Sequence, residues 1–197
     1  MSSNIIPSIS YDQHDILKWI IQLHTGPFHC DVTYGKGNFY RDGVPEPELK
    51  FDLVPLVPGV VQADCRRLPL AAESVESIVF DPPFMARTGP GAALKARFGE
   101  LVGTIRDLWK FYALAMMEFY RVLVRDGWLV FKCQDGVLSG VNNFTHCEVY
   151  NLAVAIGFKP IDLFILLAKF RMMHPKHKRQ RHARKYHSYF WVLRKEG

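Results

Sequence analysis

The chain has 197 residues, 49% of them hydrophobic and 22% charged, which suits one compact domain with a well-filled core and leaves no room for a second large one. The longest aliphatic stretch, Leu163 to Leu167, is far too short to cross a bilayer. The first ten residues show no positive region followed by an apolar run, so a soluble, intracellular, cytoplasmic protein is expected.

The four cysteines, Cys30, Cys65, Cys133 and Cys147, form no C-x-x-C pair, which argues against a zinc site or a disulfide framework. Half of the eight histidines lie in one basic stretch, where arginines and lysines disfavour a bound cation, so no metal is expected. The net charge of +6 is concentrated in that stretch, in Arg171, Lys176, Lys178, Arg179, Arg181, Arg184 and Lys185. Setting those seven aside leaves 18 of the 25 basic residues against 19 acidic ones. No acidic residue stands between Asp162 and Glu196, so one segment carries the basicity, as a polyphosphate partner would select.

In chain order, Tyr11 to His24 has apolar residues at helical spacing after Ser10 as a cap, which predicts an amphipathic helix. Pro27 to Asp31 is a short strand, followed by a glycine-bearing turn from Val32 to Asn38 and a proline-rich loop to Pro47. Further strands are predicted at Leu49 to Val54, Gly59 to Ala63 and Ser77 to Phe80. Each of these four apolar segments has an aspartate at or near its end: Asp31, Asp52, Asp64 and Asp81. That recurrence predicts parallel strands whose carboxyl ends line one cleft, where open α/β sheets bind ligands. The Gly- and Ala-rich section 85–103, with Lys95 and Arg97, is expected to be a lid or substrate loop. Thr104 to Val124 fits a long helix stopped at Asp126-Gly127, Trp128 to Cys133 a buried strand, and Cys147 to Ile156 a helix closed by Gly157. Ile161 to Ala168 and Tyr189 to Leu193 complete the strands, and residues 171–187 form a basic loop between them. No internal repeat or second composition regime interrupts the chain, so residues 1–197 are expected to be one domain.

The most specific signal is Asp81-Pro82-Pro83-Phe84, directly after Ile78-Val79-Phe80. Taken alone it is a turn after a strand. It also suits work on an aromatic amine, whose lone pair is delocalised into the ring. A carboxylate at Asp81 and the carbonyl of Pro82 could each hold one N–H and free the lone pair for attack. The prolines fix φ and hold that carbonyl rigidly, and Phe84 could stack on the base. A duplex hides such an atom, so the base must be flipped out or already unpaired.

This motif resembles the signature (D/N/S)-P-P-(Y/F/W) of the class I amino-methyltransferases that act on N6 of adenine or N4 of cytosine. The resemblance takes in Asp31-Val32-Thr33-Tyr34-Gly35-Lys36-Gly37 as a cofactor loop, Phe51-Asp52, Ala63-Asp64-Cys65-Arg66-Arg67-Leu68-Pro69 and the strand Gly127 to Cys133. It implies a doubly wound, mostly parallel, seven-stranded α/β sheet with an antiparallel last strand, and S-adenosylmethionine as cofactor. It implies that Asp31, Thr33, Gly35 and Gly37 frame the methionine end, that Asp52 takes the ribose hydroxyls, and that Asp64 with Cys65 takes the adenine. Phe39-Tyr40 departs from the family, standing where small residues usually run into a helix, and Pro45 and Pro47 deny a long helix there.

Lys95, Arg97, Lys176, Lys178, Arg179, Arg181, Arg184 and Lys185 are the candidate phosphate contacts, with Met172, Met173 and Tyr186 beside them for bases or ribose. The leading expectation is methyl transfer to adenine N6 in DNA. RNA as substrate and a catalytically silent nucleic-acid-binding subunit stay open as alternatives, and transfer to a protein glutamine amide is disfavoured because its related motif usually begins with Asn. Since there is no separate recognition domain, target choice falls to the two loops, to a protein partner or to a homodimer. No membrane association is expected.

Overall fold

The structure, a computed structural model, describes residues 5–84, 104–138, 140–169 and 181–197. Its elements run β1 (Ile9–Ser10), α1 (Gln13–Ile20) continued by a π-helical turn (Ile21–Thr25), β2 (Cys30–Asp31), β3 (Leu49–Asp52), β4 (Val61–Gln62) and β5 (Val75–Phe80). Then come α2 (Ile105–Val122), β6 (Leu123–Cys133), β7 (Gly136–Leu138), β8 (Val141–Asn143), α3 (Thr145–Ile156), β9 (Phe158–Leu167) and β10 (His187–Lys195).

Eight strands form one sheet in the order β1-β9-β10-β6-β5-β2-β3-β4, and β7 with β8 forms a separate hairpin. Only β10 runs antiparallel to its neighbours within the large sheet. The expected doubly wound sheet with an antiparallel last strand is therefore formed, with eight strands instead of seven. The additional one is β1, which pairs Ile9 with Ile165 and Ser10 with Leu166 at the edge. Ser10 is thus a strand residue. Asp12 caps α1 instead, its carboxylate accepting from the His14 N–H at 2.8 Å.

The sheet is covered on both faces because alternate residues of its central strands point opposite ways. Ile78, Phe80, Leu129 and Phe131 pack with Tyr112, Met116 and Phe119 of α2 and Val149 and Ala153 of α3. Val79, Val130, Phe190 and Val192 pack with Ile16, Leu17 and Ile20 of α1. At roughly 1.5–3 kcal/mol for each large side chain fully withdrawn from water, these two layers dominate the stability.

Helix α2 starts where sequence places it, with a capping box between Thr104 and Asp107. It ends earlier than expected. The chain turns into β6 at Leu123, and Asp126-Gly127 is not a helix stop but a bulge inside that strand, because β5 Val75 faces Leu123 while Ser77 already faces Trp128. Asp126 adopts φ 62°, and a Cβ at Gly127 would lie 2.9 Å from the Val124 carbonyl oxygen, so the excursion requires a glycine.

Among the described residues, no helix occupies the connections β2–β3, β3–β4 or β4–β5, as the prolines of the first connection foreshadow. No described helix is long and apolar enough to cross a membrane.

Candidate active site at the carboxyl edge

Strands β4, β3, β2 and β5 are adjacent and parallel, and their registers place Asp64, Asp52, Asp31 and Asp81 at successive carboxyl ends along one edge. The strand order reverses between β2 and β5. Open α/β sheets bind ligands outside the strand ends at such a switch point, and Asp31 and Asp81 stand on either side of it.

Asp31 is 2% exposed and accepts from the Tyr40 hydroxyl at 2.6 Å and from the Thr33 N–H at 2.7 Å. Burial pushes its carboxyl up to about 7 against the pull of those two hydrogen bonds, and the charge of Asp81 adds to the rise. Thr33 links the two motifs, since its Oγ1 accepts the Asp81 backbone N–H at 2.8 Å while lying 3.4 Å from Asp31 Oδ1.

The glycine-bearing loop owes its shape to neighbouring side chains. Gly35, at φ 60°, donates its N–H to Asp52 Oδ2 at 2.8 Å, and Asp52 Oδ1 takes the Val54 N–H at 3.0 Å. Asp52 is buried, with each carboxylate oxygen already accepting one backbone bond and keeping a further lone pair. Gly37 adopts φ 69°, and a Cβ there would meet the Tyr34 hydroxyl at 2.6 Å. Tyr34 in turn stacks on Tyr40, ring centroids 5.4 Å apart. Phe39-Tyr40, the departure from the family pattern, therefore closes this loop with aromatic packing where a helix would otherwise hold it.

Asp64 is held by Arg66, whose Nη2 lies 2.6 Å from Oδ2, and this pairing keeps its carboxyl below the ordinary value. Cys65 turns its side chain into the core, where burial pushes the thiol up.

In the Asp81-Pro82-Pro83-Phe84 segment both prolines are buried and the Asp81 side chain is 30% exposed. The buried Tyr112 of α2 donates to the Pro83 carbonyl at 2.6 Å and so fixes the turn. Lys132, near the end of β6, reaches Asp81 Oδ2 at 3.6 Å. Its ammonium also lies over the rings of Phe39, Phe190 and Phe84, at 4.8, 5.4 and 5.5 Å from their centroids. A pocket of about 430 Å³, lined among others by Phe84, Lys132, Gln134, Gln13 and Ser188, opens beside this pair.

Lys132, Tyr40 and Tyr112 do not figure among the sequence candidates. Lys132 carried a usable signal, because a lysine inside the apolar run Trp128 to Cys133 must find compensation for its buried charge.

The basic segment leaves β9 and enters β10 at the same carboxyl edge. Arg181, Arg184 and Lys185 lie in its described part. Lys176, Lys178, Arg179, Met172 and Met173, like Lys95 and Arg97 of section 85–103, lie outside the described residues.

No protein-family model matches the chain, and no curated protein is similar to it. Solved structures do share its architecture. A 1,6-didemethyltoxoflavin N1-methyltransferase of Burkholderia thailandensis, seen with bound 1,6-didemethyltoxoflavin and S-adenosylhomocysteine, is 15% identical over 95% of this chain and 80% of that one, with a TM-score of 0.58. A candidate methyltransferase of Bacillus halodurans is 14% identical over 93% and 99%, with a TM-score of 0.57. A candidate DNA modification methylase of Thermus thermophilus is 20% identical over 68% of this chain, with a TM-score of 0.48, and the chain spans about half (52%) of its length. The fold is that of the Rossmann-like methyltransferases.

Proposed function

We propose that the protein transfers a methyl group from S-adenosylmethionine to the exocyclic amine of a nucleic-acid base, with adenine N6 in DNA as the favoured target. The observation that carries the reading is the placement of Asp81-Pro82-Pro83-Phe84 at the switch point, held by Thr33, Tyr112 and Lys132. The methyltransferase fold supports it.

The residues present fit the cofactor. Asp31 offers a desolvated carboxylate that a cationic ligand would stabilise, and Asp64 offers a partly exposed acceptor two strands away. Thr33 and Gly35 would carry the backbone around the methionine end, with Gly37 making the turn against Tyr34, and Asp52 with its remaining lone pairs would meet the ribose. The backbone at Cys65 would lie beside the adenine. When bound, the cofactor supplies an electrophilic methyl on a sulfonium.

The chain's own residues prepare the acceptor. Asp81 takes one N–H of the amine and the Pro82 carbonyl the other, drawing the nitrogen toward tetrahedral geometry. Phe84 stacks on the base and sets its plane, and the Lys132 ammonium, 3.6 Å from Oδ2, faces the Asp81 carboxylate. The carboxylate also receives the proton that the nitrogen sheds. We assign the whole chain, residues 1–197, to one catalytic unit, with the basic segment as its phosphate contact and section 85–103 as its lid.

The test is mass spectrometry of nucleosides from DNA and RNA incubated with the protein and labelled cofactor, which reports base and polymer together. N6-methyladenosine from RNA alone would move the substrate to RNA. Asp81→Ala is expected to lower turnover at least about 100-fold while cofactor affinity holds. Unchanged turnover in that variant would remove Asp81 from the chemistry.

A further inference from the structure

The hairpin β7–β8 has no part in the site described above. It begins two residues past Gln134, a lining residue of the pocket, so it projects from the edge where the base must enter. Leu138 packs on the core and anchors it, whereas Val137 and Val141 stay exposed. Phe144 follows directly, a full aromatic ring 55% exposed at the start of α3, where its side chain makes no cap.

The basic segment is fastened to this hairpin. His182 Nε2 lies 2.7 Å from the Gly140 carbonyl, and its Nδ1 lies 3.1 Å from Asn142 Nδ2. One tautomer satisfies both contacts, with Nε2–H donating to Gly140 and Nδ1 accepting from Asn142. Lys185 stands over the Phe144 ring at 5.8 Å, and Tyr186 is exposed beside it in sequence. From Gly136 to Cys147 the chain has no acidic residue, and the preceding Asp135 is buried beneath His146, 2.8 Å from its Nδ1. Arg181 and Arg184 therefore face outward with no carboxylate from either segment to neutralise them.

An exposed phenylalanine alone is unremarkable. One set among cations tied into a fixed hairpin has the composition of a stacking platform for single-stranded nucleic acid: every base offers a π-face, while lysine and arginine follow the phosphates. We infer that β7–β8 with Phe144 forms the stacking half of the nucleic-acid surface and holds an unpaired nucleotide flanking the target. This rests on the substrate class proposed above. Because a ring can stack only on a base whose face is open, the surface favours single strands, or a locally opened duplex, over intact duplex.

The experiment is fluorescence anisotropy with a labelled single-stranded oligonucleotide and its duplex, titrated at several salt concentrations with wild type, Phe144→Ala, Phe144→Trp and Arg181→Ala/Arg184→Ala. Phe144→Ala is expected to weaken single-strand binding about tenfold with an unchanged salt slope, and Phe144→Trp to retain affinity. The double arginine variant should instead flatten the slope by up to about 1.4. Phe144 is exposed, so its variants should melt with the wild type. Single-strand affinity unaffected by Phe144→Ala, an equal loss on duplex, or a loss accompanied by a flatter slope would each overturn the stacking role. If wild type bound cofactor but no nucleic acid, the substrate class itself would fall, a result distinct from these.

Discussion

Two charged residues govern the proposed site, and each is caught between burial and a partner. Asp31 has a carboxyl raised to about 7, against an ordinary 3.8, chiefly by burial. The folded chain therefore keeps a proton between about pH 4 and 7 that the unfolded chain has released, so stability falls as pH rises through that window and levels off above it. Asp31→Asn, which keeps an oxygen acceptor for Tyr40, should flatten this dependence and be the more stable form at pH 8 by a few kcal/mol, read from urea midpoints across pH. A wild type that gained stability relative to Asp31→Asn between pH 4 and 7 would mean that the carboxyl is charged in the fold. The cationic cofactor proposed beside Asp31 would draw off the same proton. Its affinity should accordingly rise with pH up to about 7 in wild type and not in the variant. Lys132 presents the opposite case, a buried cation kept by one carboxylate and three aromatic faces. Lys132→Met should slow methyl transfer about 10- to 100-fold in single-turnover assays with cofactor affinity unchanged. Full activity in that variant would show that Asp81 needs no counter-charge.

Legibility at the level of elements followed periodicity and length. The apolar runs of β5, β6, β9 and β10 and the 3.6-residue stripe of α2 stand out because each is many residues long, whereas β1, β2 and β4 are two residues each and carry too little pattern to bound. Asp126-Gly127 looks like a helix stop because the pair is a common turn signal. Only pairing with β5 shows that the turn lies within a strand. The four strand-end aspartates were legible as a set, since one residue type recurring after successive apolar runs is a pattern in itself. What the Asp52 and Asp31 carboxylates touch was not, because Gly35 and Tyr40 reach them from further along the chain. The β2–β3 connection shows the same limit. Its Gly37 suggested close approach to a ligand, and the space above it is taken by Tyr34. Gly37→Ala should therefore cost about 1–3 kcal/mol through both φ and the clash, seen as a melting temperature several degrees lower. A variant as stable as wild type would mean that the Tyr34–Tyr40 stack can shift aside.

Across the whole molecule the charge is polarised. The body is near neutral, the excess positive charge sits in one segment, and that segment leaves and rejoins the sheet at the carboxyl edge, beside the pocket and the hairpin. A field of this shape concentrates a polyanion at the edge where Asp81 stands, and leaves the proposed cofactor site between β2 and β5 to short-range contacts. Binding of the two ligands should then be separable by salt. Replacing Arg179, Arg181 and Arg184 together with alanine should weaken nucleic-acid binding and reduce the slope of log K against log salt by up to about 2.7 on duplex or 2.1 on single strands, each lost phosphate contact removing roughly 0.9 or 0.7. Cofactor affinity, measured by calorimetry on the same variant, should barely change, because the proposed cofactor site would draw its contacts from Asp31, Thr33 and the strand ends. If the triple variant lost cofactor binding while its salt slope stayed as in wild type, the segment would belong to the cofactor side of the site, and the separation of the two ligands along the sheet edge would have to be redrawn.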